Sequence, residues 1–234
     1  MEQKDWDRFD PYTYLEDNYK TVHSADVITM ARMVEKYIEI GKNDNVILEV
    51  GSGPNLLPIL IALPFAKSIT VIEYGQINLD YLNLCKNHIP IVFKKWIKVL
   101  KYLYPQIYQR FNFSIEIQKK LNINFGTVYA LPSDCYDIVS MHYVVESITN
   151  EKNQFDKGCK SVSNALVHGG TLMASFMLGS NGYSVSELNF PAIGIEVMDI
   201  HKSFGGFMRD LQFIKSKSIR KGYDGIANLI AKKI

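Results

Sequence analysis

The chain has 234 residues, 47% of them hydrophobic and 21% charged, an ordinary globular composition with enough length for one large domain and its core. A formal net charge of +2 leaves no global field directed at nucleic acid or an anionic membrane, so partners must be read from local patches. Cys85, Cys135 and Cys159 are odd in number and form no CxxC pair, which argues against a disulfide framework or a metal site and fits a reducing cytoplasm.

The opening "MEQKDWDRFDPYTY" lacks a basic segment followed by an apolar one, and no later run reaches the roughly 18 apolar residues that span a bilayer. A soluble, cytoplasmic protein without a membrane partner is expected. Residues 25–40 place Val27, Met30, Met33, Val34, Tyr37 and Ile38 at helical spacing, with Ser24 as the capping residue. A buried strand follows at 46–50, then a glycine turn, an apolar helix "LLPILIALP" and a second strand "SITVIEY" that contains Glu73. Strand, helix, strand implies a parallel pair with a crossover. "INLDYLNLCKNH" reads as helix, "YDIVSMHYV" as strand, 151–167 as helix and "TLMASFML" as strand after the turn "HGG". Asp199 is expected to cap a helix "IHKSFGGFMRDL", and "FIKSKSI" and "IANLIAKKI" read as a closing antiparallel hairpin. The expected fold is α/β: a Rossmann-like, doubly wound, mostly parallel sheet. A single domain over 1–234 is expected, with 1–40 as an N-terminal lid and helix. The segment 89–120 is too long for an ordinary loop and reads as a cap insert.

The turn "VGSGPN" carries the chemistry. In an open parallel sheet ligands bind at the carboxyl ends of strands, so residues 51–54 and Glu73 should face one crevice. An acid about 20 residues beyond the turn suits two ribose hydroxyls, in a dinucleotide or in an adenosyl cofactor. A pyrophosphate would need a third glycine where Leu56 stands, and Pro54 follows Gly53 directly, so the dinucleotide is disfavoured.

"LEVGSGPN" followed by "VIEYGQINLDYL" resembles the cofactor region of class I methyltransferases that use S-adenosylmethionine. With the leader "FDPYTYLEDNY", the chain more narrowly resembles the amine N-methyltransferases that act on nicotinamide, phenylethanolamine, indolethylamines and thioethers. By position, the resemblance implies that Gly51, Ser52 and Gly53 approach the methionine part of the cofactor, Glu73 its ribose, and Tyr74 and Asn78 its adenosine. Tyr14 and Tyr19 would close over it. In "NFGTVYALP" the family carries an acid after the residue matching Gly126; here Thr127 stands there, and adenine contact falls to the Val128 backbone.

His142 and Tyr143 end a strand beside the expected methyl, and Tyr183 sits in the loop "GSNGYSVSELNFP", where the resemblance places substrate contacts. A general-base His142 competes with a mechanism in which positioning supplies most of the catalysis. Glu146 is expected where the following helix begins, near its positive end. The acceptor walls are read as His142, Tyr143, Phe176, Tyr183 and Phe190, without a secure carboxylate. Phe176 stands where the nicotinamide-methylating relative carries an acid. These walls predict a flat, uncharged aromatic or heterocyclic amine as methyl acceptor, not nicotinamide or a cationic alkylamine. Oxygen or sulfur acceptors, and a non-catalytic adenosyl-binding module, are the alternatives. In the insert, lysines interleave with aromatic residues, but Phe93, Ile97, Leu100 and Tyr104 share one helical face. The lysines are therefore expected on the solvated side, not on a nucleic-acid surface.

Overall fold

Beta-branched and leucine side chains make Asn45–Val50 the strand β1 around which the rest is arranged. Its residues alternate between two packed layers: Ile47 joins the core under the N-terminal helices, while Leu48 and Val50 join the core on the opposite face. The computed structural model describes residues 3–218 and 221–234. The helices are α1 (Gln3–Trp6), α2 (Pro11–Tyr19), α3 (Ser24–Ile40), α4 (Leu57–Ala62), α5 (Gln76–Asn87), α6 (Ile91–Leu103), α7 (Pro105–Tyr108), α8 (Phe113–Lys120), α9 (Lys152–Ala165) and α10 (Val197–Phe204). The further strands are β2 (Ala66–Glu73), β3 (Leu121–Phe125), β4 (Tyr136–His142), β5 (Leu166–Leu178), β6 (Tyr183–Val185), β7 (Leu188–Phe190), β8 (Met208–Lys217) and β9 (Gly225–Lys233).

Seven strands form one sheet in the order β3-β2-β1-β4-β5-β9-β8, and β6 pairs with β7 in a separate ribbon. The first five are parallel, whereas β9 runs antiparallel to both β5 and β8. The doubly wound sheet and its closing antiparallel pair are therefore as the sequence predicts. The order reverses between β1 and β4, which opens a crevice at their carboxyl ends.

Several boundaries differ from the sequence reading, each for a local reason. His23, not Ser24, is the N-cap of α3, and its side chain makes no capping bond. The N-cap of α10 is Glu196. Asp199 sits three residues later, and its Oδ2 accepts the Glu196 N–H at 2.9 Å in a reciprocal capping box. That helix stops at Phe204, before two glycines that favour an end, and Met208–Leu211 belong to β8. Helix α9 stops at Ala165, and "HGG" lies inside β5 as a register shift. Ile219, the last residue of the predicted strand "FIKSKSI", lies outside the described residues.

The insert is placed differently from its expected role. Phe93, Trp96 and Leu100 of α6 are fully buried, in the same core as α2, α3 and α4. Neither cavity described below is lined by a residue of 89–120. Helix α6 instead backs α2: the Trp96 indole Nε1 donates to the Tyr19 carbonyl at 3.3 Å, and both Phe93 and Trp96 pack on the Tyr19 ring.

Candidate active site

The turn after β1 is built from its own backbone. Gly51 N–H donates to the Ile72 carbonyl at 2.8 Å, tying the end of β1 to β2. Ser52 Oγ donates to the Asn55 carbonyl at 2.7 Å, and Asn55 Oδ1 accepts the Leu57 N–H at 2.9 Å at the start of α4. Gly51 and Gly53 both have positive φ, +60° and +55°. Their needs differ, however. A Cβ at Gly51 would lie 2.7 Å from Val144 Cγ1, whereas one at Gly53 would meet nothing within 4 Å. Gly51 is thus a packing glycine, and Gly53 a bare stretch of backbone bordering open space.

Glu73, at the end of β2, is 7% exposed. Its Oε2 accepts the Gly53 N–H at 2.8 Å and its Oε1 the Gly75 N–H at 3.0 Å, so it is fixed between the two turns. Burial pushes its pKa up, and these backbone bonds oppose the shift. The Tyr74 backbone and the Asn78 side chain also hydrogen-bond this carboxylate, which holds it in one orientation at the cavity wall.

These groups border a cavity of about 300 Å³. Most of the residues singled out in the sequence line it: Tyr14 and Tyr19 from α2, Gly51, Ser52 and Gly53, Glu73 and Tyr74, Asn78, Thr127 and Val128, and His142, Tyr143 and Tyr183. Within its wall, Asn78 Oδ1 and Ser147 Oγ are buried polar atoms without a hydrogen-bond partner among the described residues. A bare glycine, a fixed carboxylate and an orphaned amide oxygen in one cavity fit an adenosyl ligand.

A second cavity, of about 430 Å³, adjoins the first: Tyr14, Tyr19, Tyr143, Ser147 and Tyr183 line both. Tyr143 stands at this partition with φ +60°, a strained conformation for a bulky residue. Tyr183 stacks on Phe190 at 5.3 Å between ring centres, and burial pushes its hydroxyl well above the usual tyrosine range.

Several sequence readings are corrected here. Phe176 lines neither cavity; it is fully buried between Phe155 and Phe204, because alternation along β5 turns it toward the α9–α10 layer. Phe190 is likewise buried, supporting Tyr183 from behind Phe9 and Trp6. Glu146 caps no helix, since α9 begins at Lys152; its carboxylate is buried, accepts the Met177 N–H at 2.9 Å, and is pushed by burial up to about 8. The second cavity also holds carboxylates: Asp17 and Asp26 line it, together with Lys221. His142 has no spare nitrogen. Its Nδ1 lies 2.8 Å from Ser175 Oγ and its Nε2 3.1 Å from Ser140 Oγ, and burial pulls its pKa down to about 4. It is a neutral ring held between two serines, an arrangement that positions it and leaves the general-base reading without support from the geometry.

Sequence reasoning missed Trp6, Phe9, Asn55, Tyr129 and Ser147, all in the first wall. Asn55 follows the glycine turn directly, and its Nδ2 donates to the Tyr19 hydroxyl at 2.7 Å, so its adjacency to the motif was the available signal. Ser147 had none; it reaches the site through the loop after β4.

The sequence profile of the NNMT/PNMT/TEMT family matches residues 1–234. The chain belongs to that family. It is an S-adenosylmethionine-dependent methyltransferase, and hence an enzyme. Among its relatives are human nicotinamide N-methyltransferase, 22% identical with 97% of this chain and 93% of the relative covered, and rat phenylethanolamine N-methyltransferase, 20% identical with 96% and 86% covered. The fold of this methyltransferase is also that of N-methyltransferase NodS from Bradyrhizobium japonicum, solved with S-adenosyl-L-homocysteine (TM-score 0.62, 10% identity, 99% of this chain and 96% of that one). A methyltransferase of Clostridium acetobutylicum is similar at TM-score 0.61 and 13% identity, over 96% and 99% of the two chains. Among the described residues no helix is long and apolar enough to cross a membrane, and no cluster of ligating side chains could hold a metal ion.

Proposed function

We propose that this enzyme methylates a nitrogen of a small aromatic or heterocyclic amine, with the cofactor in the first cavity and the acceptor in the second. The observation that carries the reading is the shared partition, in which four tyrosines border both spaces. Their rings are broad, apolar walls suited to planar acceptors, with hydroxyls for orientation. Gly51, Ser52 and Gly53 would border the methionine part of the cofactor, Glu73 would accept the ribose hydroxyls, and Tyr74, Asn78, Thr127 and Val128 would surround the adenosine.

When bound, S-adenosylmethionine supplies an electrophilic methyl on a sulfonium. The protein's part is to hold the acceptor nitrogen in line and near contact, and to exclude water through Tyr14, Tyr19, Tyr143 and Tyr183. A neutral amine needs no base before attack. An alcohol or phenol would benefit from one, and the ring nitrogens of His142 are both engaged, which favours nitrogen over oxygen. The exclusion of cationic alkylamines loses its ground, because Asp17 and Asp26 line the acceptor side. Amines that are cationic in solution therefore stay within the acceptor class, each releasing a proton to solvent or to one of these carboxylates before its nitrogen lone pair attacks the methyl.

The test is a panel of heterocyclic amines, arylalkylamines, catechols and thiols, read by release of S-adenosylhomocysteine. Turnover of amines is expected; turnover confined to catechols or thiols overturns the nitrogen reading.

A further inference from the structure

The charge of this chain is unevenly placed. Residues 81–115 contain six of its lysines and arginines and not one aspartate or glutamate, leaving the rest of the chain with a net charge of −4. Four of those cations lie on α6. At 100° per residue, Ile91, Lys94, Lys95, Lys98, Lys101 and Tyr102 fall within an arc of roughly 120°, opposite the buried Phe93, Trp96 and Leu100. Ile91 is 78% exposed and Tyr102 84%, two large apolar side chains in water at the two ends of a lysine row. Among the described residues no carboxylate pairs with these lysines; the single bond they make is from Lys95 Nζ to the Lys20 carbonyl at 3.1 Å. On the neighbouring α2, Glu16 is occupied by Lys20 and Asp17 faces the second cavity.

We propose that this outward face of α6 docks the enzyme on an anionic phospholipid surface. A cationic row flanked by exposed apolar side chains matches an interface in which anionic headgroups meet lysine ammoniums and the acyl boundary receives Ile91 and Tyr102. Lysine suits the role because its aliphatic stem lies along the interface while its charge stays in the headgroup layer. A nucleic-acid backbone would match the charge but leave the two apolar side chains without a partner. Helix α6 backs α2, whose Tyr14 and Tyr19 border both cavities, so the docked face lies behind the cover of the site.

The experiment is co-sedimentation of the full chain with phosphatidylcholine vesicles, with and without about one-third phosphatidylserine. Binding to the anionic vesicles alone is expected, and its loss in about 0.5 M salt. The double reversal Lys94→Glu with Lys98→Glu should weaken binding at least about tenfold, from roughly fivefold for each neutralised lysine. Ile91→Ser with Tyr102→Ser should weaken it severalfold and leave the salt dependence in place. All four positions face solvent or lie at its edge, and retained S-adenosylhomocysteine binding verifies that each variant is folded. Equal retention by both vesicle types, retention by neither, or binding to a duplex oligonucleotide in place of vesicles overturns the proposal.

Discussion

Glu73 and the two glycines of the turn after β1 separate binding from folding at the level of single residues. Glu73→Ala removes the acceptor of the Gly53 and Gly75 N–H groups and the expected ribose contact. It should cost about 2 kcal/mol in S-adenosylhomocysteine affinity by calorimetry, within the range for hydrogen bonds to a charged group. Unchanged affinity would displace the ribose from this residue. The glycines should behave oppositely to one another. Gly51→Ala drives a methyl to 2.7 Å from Val144 at a positive φ, and should lose about 2–4 kcal/mol of folding stability in urea unfolding. Gly53→Ala meets no protein atom, so about 1 kcal/mol of backbone strain is expected, yet ligand affinity should fall because the methyl would intrude on the cradle. Equal effects of the two substitutions on stability would contradict this division.

At the scale of elements, α2 supplies Tyr14 and Tyr19 to the walls of both cavities, and α6 packs behind Tyr19. Tyr19 is fixed by Asn55 Nδ2 at its hydroxyl and by Trp96 at its carbonyl, whereas Tyr14 packs on Phe9 and borders both cavities. Hydrogen exchange over 10–20 should slow when S-adenosylhomocysteine binds, while exchange in α6 around Trp96 should stay slow throughout. Slowing of both segments together would make them one cover, as the sequence reading of 89–120 expects. The aromatic leader was legible as a cover only through the family resemblance, because the residues by themselves fit plain packing on the core equally well. The place of the insert was not, because helical periodicity identifies which face of α6 is buried but not what it is buried against.

For the molecule as a whole, three buried ionisable groups shape the dependence of stability on pH. Burial pushes Glu49 and Glu146 up to about 8, so the folded state keeps protons that the unfolded chain releases above about 4.5. Stability should therefore be lost as pH rises from about 4.5 to 8. His142 works in the opposite sense: burial pulls it down to about 4, the unfolded chain binds its proton first, and stability falls as pH drops from about 6.5 to 4. Glu146→Gln keeps an acceptor for the Met177 N–H and removes one acid. Relative to the unmodified protein, the variant should gain roughly 2–4 kcal/mol in unfolding free energy between about pH 5 and pH 8.5. An identical gap at both pH values would mean that the carboxyl at 146 is ionised in the folded protein.

The sequence by itself determined the sheet, because apolar strands separated by helices admit few arrangements, and it determined much of the wall of the first cavity, because that wall is built largely on strand ends whose order follows from connectivity. That residues 51–54 and Glu73 share one crevice was legible from spacing, whereas their parts toward a cofactor came from the family resemblance. Tertiary structure decided everything that depends on which way a side chain turns. Phe176 went to the core through its place in the alternation of β5, Asp17 and Asp26 came to the second cavity from helices far away in the chain, and both nitrogens of His142 met Ser140 and Ser175. The first cavity is bordered by backbone and strand ends fixed by local sequence, whereas the second is assembled from side chains of separate elements whose orientation only packing selects.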